Sequence, residues 1–203
     1  MTVNYKFKIK PFDHQVTALE RGWQRPEFGL FMEMGTGKSK VLIDNLGMLY
    51  QAGEINFALV IAPKGVYRNW VAKEIPEHMS DDIPHRVIRW VATPNKTQQA
   101  EMRSVGEKFD GLTIFVMNVE SFSSIKGKNA GEWMGRAFGR NGLIAIDEST
   151  TIKNHKAKRT KALMKIASAF KYKRLLTGSP VTKSPMDLYS QCEFLRPGLL
   201  GYD

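Results

Sequence analysis

Two short groups of residues in this 203-residue chain have the types and spacing to do chemistry. The first, Glu33-Met34-Gly35-Thr36-Gly37-Lys38-Ser39, follows the apolar run Gly29–Met32 and precedes a helical pattern. Glycines at 35 and 37 permit a tight turn whose N–H groups point inward as a nest for an anion, and the helix that follows aims its positive end at the same spot. Gly35, Thr36, Gly37, Lys38 and Ser39 are therefore candidate nucleotide contacts. Lys38 would reach the β- and γ-phosphates and the Ser39 hydroxyl would help to hold Mg2+. The pattern G-x-x-x-x-G-K-[ST] is met except at its first glycine, where Met32 stands. The second group closes the apolar run Gly142–Ile146 with Asp147-Glu148. An acidic pair at the carboxyl end of a strand lies where open α/β sheets bind ligands. Asp147 can hold Mg2+ directly or through its waters, and Glu148 can orient and deprotonate a water attacking a γ-phosphate.

These groups need a scaffold, and the chain alternates strand and helix signals. Gly29–Met32, Phe57–Ile61, Arg86–Val91, Leu112–Met117, Leu143–Ile146 and Arg174–Leu176 read as buried strands. Lys38–Leu49, Val66–Glu74, Thr97–Lys108, Lys156–Phe170 and Pro185–Phe194 read as amphipathic helices. This alternation predicts an α/β fold, a mainly parallel sheet with helices on both faces. Gly- and Lys-rich Ser121–Gly131 reads as an exposed loop. With no internal repeat or low-complexity tract, residues 1–203 read as a single domain.

Composition excludes several classes. Hydrophobic residues make up 42% and charged residues 25% of the chain, ordinary globular usage. No run approaches the roughly 18–20 apolar residues that cross a bilayer, and the amino terminus lacks an apolar signal core, so no membrane partner is expected. A single cysteine, Cys192, cannot form an internal disulfide, and four scattered histidines offer no zinc spacing. A reducing interior, cytoplasmic or nuclear, is the expected setting. The net charge of +10 is localised: residues 149–186 hold ten Lys or Arg and no Asp or Glu, while the rest balances. Such a segment either attracts polyanions or forms a solvated helix face.

In combination these motifs resemble the superfamily 2 helicases, and their order and spacing look most like the Swi2/Snf2 branch, the double-stranded DNA translocases. Gln15, Gly35–Ser39, Asp147–Thr150 and Thr177-Gly178-Ser179 follow the family's order. Ala62-Pro63 with Asn69-Trp70 and Glu74 resembles C-P-x-x-x-x-x-N-W-x-x-E, and Asp147-Glu148 with Ile152-Lys153-Asn154 resembles D-E-A-H-R-I-K-N. Arg174-Leu-Leu-Thr-Gly-Ser-Pro, Leu188-Tyr189 and Phe194-Leu195-Arg196-Pro197 resemble R-L-L-T-G-T-P, L-W and F-L-x-P.

The resemblance implies a RecA-like P-loop domain that uses ATP and Mg2+, with DNA as partner and a second RecA-like lobe in cis or trans. It implies that Gln15 reads the adenine edge, with Lys38 and Glu148 catalytic. Thr177, Gly178 and Ser179 would couple nucleotide state to the DNA surface. Pro63, Lys64 and Asn69 would lie near the nucleic-acid backbone, with Asn118–Ser121 a weaker phosphate contact. Trp70 reads as a core anchor. Three departures stand out: Ser149-Thr150 replaces Ala-His, which puts coupling from the metal site in doubt; His14 replaces a tyrosine; and Lys183 replaces an asparagine. The second lobe supplies arginine fingers in relatives, worth roughly 10³–10⁵-fold in rate. This chain reads as the first lobe only, ending at Tyr202-Asp203 where the inter-lobe connection would begin. ATP·Mg binding, weak DNA affinity and slow hydrolysis are then expected of it alone. A naturally single-lobe regulatory module stays open as an alternative, and a nucleotide kinase would leave Thr177–Pro180 unexplained.

Within 156–170, Leu163, Ile166, Ala167 and Phe170 follow helical spacing and should face the core, which turns Lys158, Lys161 and Lys165 to solvent. Replacing these three lysines with glutamine should flatten the salt dependence of DNA binding, measured as the slope of log affinity against log salt. An unchanged slope would make them merely solubilising.

Overall fold

The computed structural model describes residues 4–181 and 185–201; Lys183 and Tyr202-Asp203 lie outside the described residues. Its frame is a sheet of six parallel strands: β1 (Glu27–Phe31), β2 (Phe57–Ala62), β3 (His85–Arg89), β4 (Leu112–Asn118), β5 (Gly142–Asp147) and β6 (Tyr172–Thr177). The strands lie in the order β1-β6-β5-β2-β4-β3. All six expected strands are present, with ends shifted by up to two residues.

Period-two alternation builds the two faces. Ala58, Val60, Ala62, Ile114, Val116, Leu143, Ala145 and Leu176 enter one apolar cluster. Phe57, Leu59, Ile61, Phe115, Met117, Ile144, Ile146 and Leu175 enter the other. Every residue of β2, β5's first five and all of β6 are buried, as a sheet covered on both sides demands. The covering helices are α1 (Asp13–Gly22), α2 (Lys38–Gln51), α5 (Lys96–Arg103), α6 (Ile125–Phe138), α7 (Lys158–Ala167) and α8 (Asp187–Leu195). Between β2 and β3, α3 (Tyr67–Asn69) and α4 (Ile75–His78) flank a π-helical turn, Trp70–Glu74, in which the Ile75 N–H reaches back to the Trp70 carbonyl. The expected helix Val66–Glu74 is thus longer and interrupted.

Buried Arg174 fastens α1 to the sheet. Its five N–H groups donate to Asn45 Oδ1 (2.9 Å) and to the carbonyls of Pro26 (3.2 Å), Lys173 (2.8 Å), Gly22 (3.1 Å) and Trp23 (3.2 Å). Two of those carbonyls close α1, whose negative end favours a cation. Burial pushes the guanidinium down to about 10, so it stays charged near neutrality.

One expectation is overturned. Ser121–Gly131 is not an exposed loop: residues 125–131 open α6, capped by Ser124, whose hydroxyl accepts the Gly127 N–H at 3.1 Å. Its glycines at 127, 131 and 135 form one stripe against the neighbouring elements. A methyl at 127 would overlap the Ser121 carbonyl, and one at 131 would lie 2.7 Å from Ile166 and 2.8 Å from Phe122. Glycine depresses helix propensity, so the segment reads locally as loop, yet close packing requires it.

This predicts that Gly127→Ala costs about 1–3 kcal/mol in denaturant unfolding, although alanine is the better helix former. Gly65→Ala, where nothing lies within 4 Å, should stay within about 0.5 kcal/mol. Equal effects would contradict the packing account.

Candidate active site

The candidate phosphate-loop residues lie between β1 and the first turn of α2. Gly35 and Gly37 take φ of 78° and 79°, the left-handed region that admits glycine most readily. Met32 is not among the residues with positive φ, so a side chain is tolerated where the motif usually has its first glycine. Lys38 opens α2 and donates from Nζ to the carbonyls of Met32 (3.0 Å) and Glu33 (2.9 Å), folding its ammonium over its own loop. Ser39 follows in the first turn of α2. Thr36 ties the loop with an Oγ1 bond to the Glu33 carbonyl at 2.7 Å.

Behind the loop, α1 presents His14 and Gln15. Both converge on the Thr36 carbonyl, His14 Nε2 and Gln15 Nε2 each at 3.0 Å. Gln15 is buried, and its Oε1 accepts the Phe12 N–H at 3.0 Å, closing α1's amino end. Its amide is thus engaged by protein at both ends. Alongside lies a cavity of about 300 Å³ lined by Phe12, His14, Gln15, Gly35–Gly37 and His78 among others, with the Phe12 and His14 rings stacked 5.8 Å apart.

The acidic pair ends β5, and β6 lies between β5 and β1. In register, Asp147 is opposite Leu176, and Thr177 is opposite Phe31. Strand spacing of about 4.8 Å therefore places the acidic corner roughly 10 Å across the sheet from the phosphate loop. Thr177 bridges the gap. Its carbonyl accepts the Met32 N–H (3.2 Å), and its hydroxyl donates to Glu148 Oε1 (3.0 Å). The Ser179 N–H donates to the same hydroxyl oxygen at 3.2 Å. Gly178 lies against Met34, where a Cβ would be 3.2–3.3 Å from that residue's atoms.

Glu148 has φ 54°, the one non-glycine with positive φ among the described residues. Such a conformation costs energy and is held by its surroundings, here Thr177 and Thr150, whose hydroxyl donates at 3.2 Å. Asp147 Oδ2 accepts the indole N–H of fully buried Trp70 at 2.9 Å. Trp70 is a core anchor as expected, but its polar edge also orients the carboxylate, which the Asn-Trp pair alone does not reveal. Burial raises the Asp147 pKa above its ordinary 3.8; the Trp70 bond opposes the rise, Glu148 adds to it, and Lys38 opposes it. A carboxylate and a serine hydroxyl are hard oxygen donors of the kind Mg2+ takes, which usually has one or two protein carboxylates and completes its shell with phosphates and water. A cation there would relieve the unfavourable charge on Asp147, so the residues fit the metal.

The nucleic-acid candidates divide. Pro63 and Lys64 follow β2, and Asn118 ends β4 with Val119–Ser121 after it; Glu120 links the two, accepting the Lys64 N–H (3.4 Å) and the Asn118 Nδ2–H (3.2 Å). Asn69 is exposed and donates to Glu74 at 2.9 Å. Lys158, Lys161 and Lys165 are exposed on α7, with Leu163, Ile166, Ala167 and Phe170 buried. The basic segment is smaller in space than in sequence. Lys173 and Arg174 are buried, Lys171 pairs with Glu54 and Lys165 with Glu132 (3.1 Å). Among the described residues, no helix is long and apolar enough to cross a membrane.

Fold and site together define a RecA-like α/β lobe of the superfamily 2 helicase type, in its Snf2-like amino-terminal form. The chain belongs to the SNF2-related domain family, whose model matches residues 19–202. It is 26% identical over 224 residues to Protein CHROMATIN REMODELING 20 of Arabidopsis thaliana, covering 98% of this chain and 14% of that protein. It is 28% identical over 184 residues to an uncharacterized ATP-dependent helicase of Mycoplasma pneumoniae, covering 89% of this chain and 16% of the relative. Among solved structures, the Sulfolobus solfataricus SWI2/SNF2 ATPase core in complex with dsDNA superposes with a TM-score of 0.72 at 23% identity, over 98% of this chain and 38% of that one. The chain thus spans well under half the length of each.

Because the Asp147 pKa is raised, the fold favours the protonated carboxyl. Its contribution to stability is full below the ordinary carboxylate range and is lost as pH rises through the raised value. Asp147→Asn, which keeps an acceptor for Trp70, should therefore raise the melting temperature at neutral pH and change it little around pH 4. A lower melting temperature at neutral pH would contradict this environment.

Proposed function

We propose that this chain is the ATP-binding lobe of a motor that couples ATP hydrolysis to movement on double-stranded DNA. The observation that carries the proposal is the joining of phosphate loop and acidic corner through one residue, Thr177. The names of the relatives, a chromatin remodelling protein and an ATP-dependent helicase, and the DNA complex of the structural neighbour support the same reading.

In this proposal the triphosphate lies on the N–H groups of Gly35–Lys38 at the positive end of α2. Lys38 exchanges its bonds to the Met32 and Glu33 carbonyls for phosphate oxygens, so it changes partner on binding. Ser39 and Asp147 hold Mg2+, which when bound would neutralise charge on the β- and γ-phosphates. Glu148 orients the attacking water and accepts its proton. Thr177, hydrogen-bonded to that carboxylate, senses whether Glu148 is engaged and passes the state to Gly178 and Ser179. The base occupies the cavity beside Phe12 and His14, where Gln15 reads it by releasing the Thr36 carbonyl. Lys64 and Asn69, with the exposed lysines of α7, meet the DNA backbone and supply sequence-independent affinity. A second RecA-like lobe completes the phosphate environment.

Lys38→Ala removes a charge-assisted contact and should weaken Mg·ATP binding by between about 10- and 100-fold, read by titrating a fluorescent ATP analogue. The melting temperature without nucleotide should barely move. Undiminished affinity would overturn the proposal.

A further inference from the structure

Besides the Glu148–Thr177 bond, a second connection joins the acidic corner to the segment after β6, and it does not pass through a carboxylate. Ser149 Oγ lies 2.6 Å from Gln191 Oε1, and Gln191 Nε2 lies 2.7 Å from the Pro180 carbonyl and 2.8 Å from the Asp187 carbonyl. Ser149 and Gln191 are both fully buried. The chemistry fixes every role. Two carbonyls can only accept, so the amide nitrogen must face them, and the serine hydroxyl must donate to the amide oxygen. The next residue, Ser190, also fully buried, donates to the Lys153 carbonyl at 2.9 Å. Adjacent side chains of α8 thus grip both ends of the turn that follows the acidic pair.

The far end of α8 is equally held. Phe194 and Leu195 pack in the core cluster with Ile152 and Leu175, and Lys173 Nζ donates to the Leu195 carbonyl at 2.9 Å. Burying an amide and a hydroxyl costs free energy unless each is paired, and an apolar pair would fill the same space without that cost. What the polar pair adds is direction: it fixes the corner at 149 in one register with two segments far from it in sequence, the loop at 180 and the helix 187–195.

We propose that Gln191 is a positioning residue. The relay Ser149–Gln191–Pro180 carries displacement of the acidic corner to α8 while the Glu148–Thr177 bond is made and broken. The proposal rests on the nucleotide site described above. The latch is the Glu148–Thr177 contact, which changes when Glu148 engages a water; the relay stays closed and moves as a unit. Nucleotide occupancy then reaches α8 and the Arg196-Pro197 segment beyond it without the relay itself touching nucleotide.

Hydrogen exchange on the full chain, with and without Mg·ATPγS, tests this. In the unaltered chain nucleotide should slow exchange at the acidic corner and across residues 187–195. In Gln191→Met the affinity for Mg·ATPγS should stay within about threefold; the corner should still be protected, and the response of 187–195 should vanish. Ser149→Ala, the gentler change, should do the same and serves if the methionine variant fails to fold. The double variant removes both sides of the serine–amide bond but leaves the Pro180 carbonyl without its donor, so its melting temperature should recover only part of the loss seen in Gln191→Met while the α8 response stays lost. A response that persists in either single variant, is absent from the parent, or returns with the melting temperature in the double variant overturns the relay alone. A parent chain that binds no Mg·ATPγS overturns the nucleotide site, and the relay with it.

Discussion

Thr177 is the residue on which the site depends. Its carbonyl belongs to the pairing of β6 with the phosphate-loop side, and its hydroxyl belongs to the acidic corner. No other described residue bonds to both. The position follows from topology: β6 runs between β1 and β5, all three parallel, so the carboxyl ends of three strands arrive together and the middle one can reach both neighbours. A parallel sheet is needed for this, because it delivers every loop of interest to one edge. Loss of the Thr177 hydroxyl would leave Glu148 in its left-handed conformation with one fewer restraint.

The electrostatics follow from the same geometry. A buried carboxylate beside a second one is unfavourable, and the fold tolerates Asp147 by giving it the Trp70 indole and the field of Lys38. These groups soften the penalty without removing it, which leaves a site more comfortable with a cation than without. Lys38 in turn satisfies itself on loop carbonyls. Several groups of the site therefore hold an internal partner that a ligand would replace: Lys38 its carbonyls, Gln15 the Thr36 oxygen, and Glu148 the Thr177 hydroxyl. Under the proposed function, binding would be an exchange of hydrogen bonds rather than the filling of bare polar groups.

Much of this was legible in the residue order, and the exceptions are physical. Strands β2, β4 and β5 were readable because near-complete burial leaves continuous apolar runs. The tight turn between β1 and α2 was readable despite Met32, since that position adopts no positive φ, whereas Gly35 and Gly37 do. Helix α1 escaped because its hydrophobic pattern is thin: Gln15, Leu19 and Gly22 are its buried residues, and one of them is polar. Helix α6 escaped because glycine's low propensity is a local signal and its close packing on Phe122 and Ile166 is not. The basic segment looked larger than it is, since composition cannot tell Arg174, buried under α1, from Lys158 in water. Ser149 was visible as a departure from the family pattern, but Gln191, its partner 42 residues away, could come only from coordinates.

The central claim is that the nest at Gly35–Ser39 and the corner at Asp147 share one metal-bound triphosphate. Crystals grown with Mn2+ and a non-hydrolysable ATP analogue, measured at a wavelength where manganese scatters anomalously, test it directly. One strong anomalous peak is expected between the Ser39 hydroxyl and the Asp147 carboxylate, in contact with the β- and γ-phosphates. A nucleotide bound elsewhere, or a metal that touches neither residue, would contradict it.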